Sequence, residues 1–239
     1  MQVRFISNIT KEYPNVIKVM IYKEPLFVPV TGGSIKRNKV LVDDSDYEPT
    51  VTSLNRTKCA IRDIVLCNDF DLFCTFTFDP DKIENRYNLM NCWHKLDRWL
   101  SHQRDRSNGE LQYLIVPEQH KSGAWHFHGL ISHFNGVLRD SGHKSASGRP
   151  IYNIISFRSG FTTAVPIDSR EAVANYVTKY ITKDFVKTFN QRRFFCSRNL
   201  VRPTKTINSP IFRNTLPLFR KKISDLGDRE TYEIVPDYI

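Results

Sequence analysis

Polar and apolar positions alternate with a period of two in the run DLFCTFTF at 71–78. Cys74, Phe76 and Phe78 fall on one face and Phe73, Thr75 and Thr77 on the other. That is the pattern of a central strand with one core face and one small-polar face, because successive strand side chains point to opposite sides. Asp79 and Pro80 end it, and further strands are expected near 111–117, 124–132 and 151–157. Leu89, Trp93, Leu96 and Leu100 recur at helical spacing and predict a helix over 83–103. Leu54, Ala60, Ile61, Ile64, Val65 and Leu66 predict another from Ser53 to Asn68, leading into the first strand. The stretch SGHKSASG at 141–148 reads as a loop. Residues 1–50 read as short strands, with turn punctuation at TGG (31–33) and an exposed acidic loop from Asp43 to Glu48. This order of elements predicts an α+β fold built on an antiparallel sheet.

One more helix carries chemistry as well as pattern. DSRE at 168–171 reads as a capping box, with Asp168 as N-cap and Glu171 reaching back, and it opens EAVANYVTKYITKDF. At about 100° per residue, Val173, Val177, Ile181 and Phe185 form an apolar stripe, Tyr176 and Tyr180 lie beside it, and Lys179 and Lys183 lie beyond them. The two tyrosines are thus set at the edge of the core next to paired ammonium groups.

With 40% hydrophobic and 12% aromatic residues, the 239-residue chain is globular rather than disordered. No apolar run approaches the ~18 residues of a membrane span, and MQVRFISNITKEY lacks the long apolar segment of a signal peptide, so export is not expected. Five cysteines without a C-x-x-C pair suggest neither a disulfide framework nor a thiolate zinc site, which fits a reducing cytoplasm. The charge is unevenly placed. Residues 179–222 hold twelve lysines and arginines against the single acid Asp184, enough to account for the whole net charge of +10. Interleaved with Phe189, Phe194, Phe195 and Phe212, that segment predicts a backbone-tracking, base-stacking surface for nucleic acid, with Arg192, Arg193, Arg198, Arg202 and Lys205 as candidate contacts. The division expected is a β-rich appendage at 1–50, a main domain at 51–188 and a basic extension at 189–239 packed on the same domain. The chain has no G-x-x-x-x-G-K-[ST] phosphate loop, so it carries no nucleotide-driven motor of that kind.

The candidate site centres on HFHG at 126–129. His126 and His128 share a strand face while Phe127 turns away with Trp125 and Ile131 into the core. Glu118 ends the preceding strand, and a hairpin through 119–124 brings its carboxylate close. Two imidazoles and a carboxylate with open positions describe a catalytic divalent-metal site, although the spacing alone also fits two half-exposed strand histidines with no ligand. A tyrosine is a poor nucleophile at neutral pH unless cations or a metal favour its phenolate, and Lys179, Lys183 and a metal would do so. Its oxygen can attack a phosphodiester, holding one DNA end covalently and leaving the other as a free 3′-hydroxyl. Two amphipathic tyrosines at a helix border are the alternative.

These residues, in this order, resemble the HUH endonucleases, and among them the two-tyrosine rolling-circle replication initiators of single-stranded DNA phages and plasmids. FCTFTFDP is similar to that family's first motif, HFHG to its metal-binding second motif and YVTKYITK at 176–183 to its two-tyrosine third motif, so the resemblance covers residues 71–184. It implies an antiparallel five-stranded sheet flanked by helices, Mg²⁺ or Mn²⁺ as cofactor held by Glu118, His126 and His128, and nicking of single-stranded or melted origin DNA followed by strand joining. It also implies a separate host helicase as partner and, for a phage or plasmid protein, a bacterial cytoplasm. Two other readings stay open at this point: a two-tyrosine transposase of the same fold, and a non-catalytic protein that binds single-stranded nucleic acid.

Overall fold

The computed structural model describes residues 3–29, 51–180, 193–210, 220–226 and 228–234. In chain order its elements are β1 (Val3–Glu12), β2 (Ile17–Pro29), α1 (Val51–Cys67), β3 (Leu72–Phe78), a short 3-10 turn (Pro80–Lys82), α2 (Leu89–Arg106), β4 (Gln112–Gln119), β5 (Trp125–Ser132), β6 (Leu138–Lys144), β7 (Pro150–Ile154) and β8 (Gly160–Pro166). There follow α3 (Arg170–Val177), a second 3-10 turn (Thr178–Tyr180), β9 (Phe195–Cys196), β10 (Thr204–Ile207), β11 (Arg220–Leu226) and β12 (Arg229–Ile234). No helix among the described residues is long and apolar enough to cross a membrane.

The fold is α+β with antiparallel sheets, as the pattern predicts, and the chain forms two compact units. Residues 42–201 hold a seven-stranded sheet in the order β6-β7-β8-β3-β5-β4-β9. That is wider than the five strands expected. The sequence pattern does not predict β8: it contributes Thr162 and Thr163 to opposite faces, so apolar alternation is blurred. β6 runs into the glycine- and serine-rich stretch read as a loop, with Ser141 Oγ donating to the Ile151 carbonyl at 2.6 Å and Gly142 taking a left-handed φ of 76°.

Each face of the large sheet buries its own cluster. Leu72, Cys74, Phe76 and Phe78 of β3 join Phe127 and Ile131 of β5 under Trp93, Leu96, Trp99 and Leu100 of α2. On the other face Leu114, Val116 and Leu130 pack beneath Leu54, Ile61, Ile64 and Val65 of α1 and Val173, Ala174 and Val177 of α3. Gly129 is required by the first cluster, since a Cβ there would lie 2.7 Å from Ile115 Cδ1 and 3.2 Å from Phe76 Cε2. The Arg62 guanidinium donates to the Asn175 side-chain carbonyl, linking α1 to α3.

The helix carrying the tyrosines departs from its prediction at both ends. Ser169, not Asp168, is the N-cap: its hydroxyl accepts from Ala172 N at 3.2 Å, while Asp168 pairs with Arg149. Regular α-helix stops at Val177, so Tyr176 sits on α3 and Tyr180 in the tighter 3-10 turn. Ile181, Phe185 and Lys183 lie outside the described residues.

The second unit, residues 1–41 with 202–239, holds a five-stranded sheet in the order β10-β1-β2-β12-β11. β1 and β2 are long strands of 10 and 13 residues rather than short ones, and TGG (31–33) and the acidic 43–48 stretch lie outside the described residues. The basic region therefore does not follow the 189–239 boundary. β10 and β12 pair with β1 and β2, whereas β9 joins the large sheet beside β4. Phe195 of β9 stacks on Trp93 with centroids 3.6 Å apart, and Phe194 packs against the α1/α3 cluster. Phe195 is thus a core residue and not available to stack on bases, and Phe194 is partly buried. Phe189 and Phe212 lie outside the described residues.

Candidate histidine and tyrosine site

The site is assembled on the α1/α3 face by strand register. Thr77 and Glu118 both stand opposite His126, on either side, and Thr75 stands opposite His128. Sequence reasoning does not single out the threonines as site residues, yet they orient both imidazoles. Thr77 Oγ1 lies 3.1 Å from His126 Nδ1, and Thr75 Oγ1 lies 3.3 Å from His128 Nδ1. With Nδ1 held in this way, each ring presents Nε2 away from β3.

The predicted hairpin brings Glu118 in as expected. Its Oε2 is 2.7 Å from His128 Nε2, while the carboxylate side chain remains 43% exposed. Burial lowers the pKa of His128, against the opposing influence of Glu118. Burial also lowers that of His126, helped by the nearby His120 and Arg86 and opposed by Glu118. His120, in the β4–β5 turn, has its ring 5.4 Å from that of His126. Burial thus favours the neutral form of both imidazoles, against the pull of Glu118.

The tyrosines close over His128. Tyr180 stacks on His128 with ring centroids 3.6 Å apart and planes 13° apart. Tyr176 meets Tyr180 edge-on at 5.5 Å and Phe73 at 5.2 Å. His128 is therefore only 7% exposed, so its face is covered rather than open. The two tyrosines differ. Tyr180 is partly buried and its pKa is raised, first by burial and then by its hydrogen bond and charge interaction with Tyr176. Tyr176 is 44% exposed, with Lys179 Nζ 5.5 Å from its ring centroid.

Residues 71–185 match the family model of the replication-associated protein ORF2. The matched segment is somewhat under half of the chain, yet it contains Glu118, His126, His128, Tyr176, Lys179 and Tyr180. This match supports a replication-initiator family and a part in DNA replication for the segment. No curated protein and no solved structure matches the chain.

Among the candidate DNA contacts, Arg193 donates from Nη1 to Thr57 Oγ1 at 3.1 Å and is half-buried against α1. Arg198 is exposed on the large unit, and Arg202 and Lys205 are exposed on the smaller one. Lys183 and Arg192 lie outside the described residues.

No group of three or more histidine, cysteine, aspartate or glutamate side chains forms a ready metal cage among the described residues. The donor chemistry of Glu118, His126 and His128 nevertheless suits a divalent cation. For His128 Nε2 to act as a ligand it must give up its hydrogen bond to Glu118 and carry its proton on Nδ1 instead. Thr75 permits that exchange, because a hydroxyl can accept from Nδ1–H as readily as it donates to bare Nδ1.

Proposed function

We propose that this protein initiates replication of a small circular replicon by nicking single-stranded or melted origin DNA through a tyrosine, and then rejoins strands. The observation that carries this reading is the packing of Tyr180 on His128 with Tyr176 beside it, which gathers two phenols, two imidazoles and a carboxylate on one sheet face. A purely structural pair of tyrosines has no need of a polar histidine–glutamate floor.

In the proposed reaction a tyrosine Oη forms a bond to the scissile phosphorus as the P–O3′ bond breaks, leaving a 5′-phosphotyrosine and a free 3′-hydroxyl. The phenol gives up its proton and the departing O3′ takes one up, so no net proton is consumed. Glu118, His126 and His128 would hold Mg²⁺ or Mn²⁺, which when bound supplies positive charge to the phosphate oxygens. Tyr176 is the better placed to attack first, being exposed with Lys179 above its ring. Tyr180 must first leave His128. Once freed it can take the second cleavage, with the first DNA end held on Tyr176. Exposed Arg198, Arg202 and Lys205 would grip the phosphate backbone, and a separate helicase would open the duplex.

The test uses labelled origin-like single strands, Mn²⁺ and a denaturing gel. Tyr176→Phe is expected to lose most first-strand adduct, Tyr180→Phe to form adduct but fail to release a closed circle, and the double variant to form none. Adduct in the double variant, or a full cycle in either single one, would overturn the two-nucleophile reading.

A further inference from the structure

The site occupies one row across four strands. Register sets Phe161 of β8 opposite Thr77 of β3, Thr77 opposite His126 of β5, and His126 opposite Glu118 of β4. Paired residues share a sheet face, and neighbouring strands lie about 4.8 Å apart, so Phe161 stands roughly 10 Å from His126 on the same side. Its neighbours Thr162 and Ala164 turn to the opposite face and are buried, while Phe161 is 59% exposed.

A single exposed phenylalanine is ordinary on a protein surface. Two observations set this one apart. Its strand is pinned: Gly160 runs so close to β3 that a Cβ would lie 2.0 Å from the Thr77 carbonyl oxygen and 2.8 Å from Asp79 N. The ring is therefore presented from a fixed backbone beside the site rather than from a loop. A cation also stands near this end of β5. Trp125 N donates to the Arg86 carbonyl at 3.0 Å, which holds Arg86 beside the start of the histidine strand. Arg86 Nε is buried without a hydrogen-bond partner, and Arg158 is exposed in the turn leading into β8. A strand of DNA crossing this row would find the exposed Arg158 guanidinium for a phosphate and an aromatic face about one nucleotide's reach from the reacting centre.

We propose that Phe161 is the stacking surface for the nucleobase adjoining the scissile phosphate, so that it positions the strand for attack. The inference rests on the nicking reading above and names the contact that fixes the register of the substrate. Every base has a π-face, so such a contact sets position without demanding a particular sequence.

The experiment is photo-cross-linking, in EDTA, of an oligothymidylate carrying 5-iodo-2′-deoxyuridine, with the attachment site mapped by peptide mass, alongside strand affinities of Phe161 variants. The expected result is attachment to the peptide bearing Phe161, a loss of affinity of about 5- to 100-fold in Phe161→Ala, and retention of both in Phe161→Trp. Phe161→Thr, a better strand former, replaces the alanine variant if β8 is weakened. Attachment confined to other peptides, or unchanged affinity in Phe161→Ala, overturns the proposal. Cleavage plays no part in this assay. A protein that cross-links at Phe161 yet never forms an adduct with Mn²⁺ would refute the nicking reading and leave the stacking surface standing.

Discussion

Replacing Phe127 and its neighbour His126 in separate variants should divide stability from chemistry along a single strand. Phe127 is fully buried, edge-on to Phe78 at 5.8 Å and 6.3 Å from Trp93, on the α2 side of the sheet. Alanine there removes a whole ring from a site that α2 cannot close up, and the expected loss is about 3 to 5 kcal/mol. For a unit of this size each kcal/mol lowers Tm by about 2 to 4 °C, so the variant should melt roughly 6 to 20 °C early. His126 lies on the other face, half-buried, with the Thr77 hydroxyl as its hydrogen-bonding neighbour. His126→Ala should therefore stay within about 1 kcal/mol of the parent, since it forfeits one hydrogen bond near the surface. Thermal melts by circular dichroism read the first quantity, and adduct formation well below both melting points reads the second. Phe127→Ala should retain adduct formation when folded, and His126→Ala should lose it. Equal melting points for Phe127→Ala and the parent would refute the two-faced account of β5, as would a His126→Ala variant that melts as early as Phe127→Ala.

Three further outcomes are expected. Burial depresses both histidine pKa values in the folded state, so the unfolded chain binds the extra protons. Metal-free stability should then be full above about pH 6.5 and fall as pH drops through it, and urea melts should show this slope flattened in a His126→Gln/His128→Gln variant. Glu118→Gln should weaken Mn²⁺ binding at least about tenfold by calorimetry; unchanged affinity would remove Glu118 from the ligand set. Changing exposed Arg198, Arg202 and Lys205 to glutamine should reduce the slope of log affinity against log salt for single strands by about 0.7 for each phosphate no longer neutralised. Substitution is the right perturbation here, because deleting the region would also remove the strands that pair with β1 and β2.

What could be read from the sequence follows from how local each signal is. The alternation in β3, the helical spacing of Leu89, Trp93, Leu96 and Leu100, and the opposed faces of His126 and Phe127 are properties of a few consecutive residues, and the structure has each of them. Glu118 could be placed because a hairpin is nearly local too. Thr75 and Thr77 are visible as a polar face, but their role emerges only when β3 is laid against β5 in register. Phe161 is a longer-range case, since its place in the site row depends on pairing between β8 and β3, more than 80 residues apart. Phe195 misleads for the opposite reason. Its basic neighbours suggest a surface, while its ring finds Trp93 about a hundred residues earlier in the chain. Tyr180 departs from the predicted stripe because the helix tightens after Val177, which turns the ring onto His128.

The pairing of β1 with β10 has a consequence for the order of assembly during synthesis. Ile9 faces Ile207 and Ile17 faces Ile234, so the small sheet joins segments separated by about two hundred residues. At translation rates of about 5 to 20 residues per second, β1 and β2 wait roughly 10 to 40 s after leaving the ribosome for their partners to emerge. β3, β4, β5, β8 and α3 have all been made by the time Tyr180 is added, ahead of β10 at Thr204–Ile207, so the histidine and tyrosine face can form first. The nascent β1–β2 hairpin meanwhile carries two open edges, and the late strands β10 and β12 are what finally cover them.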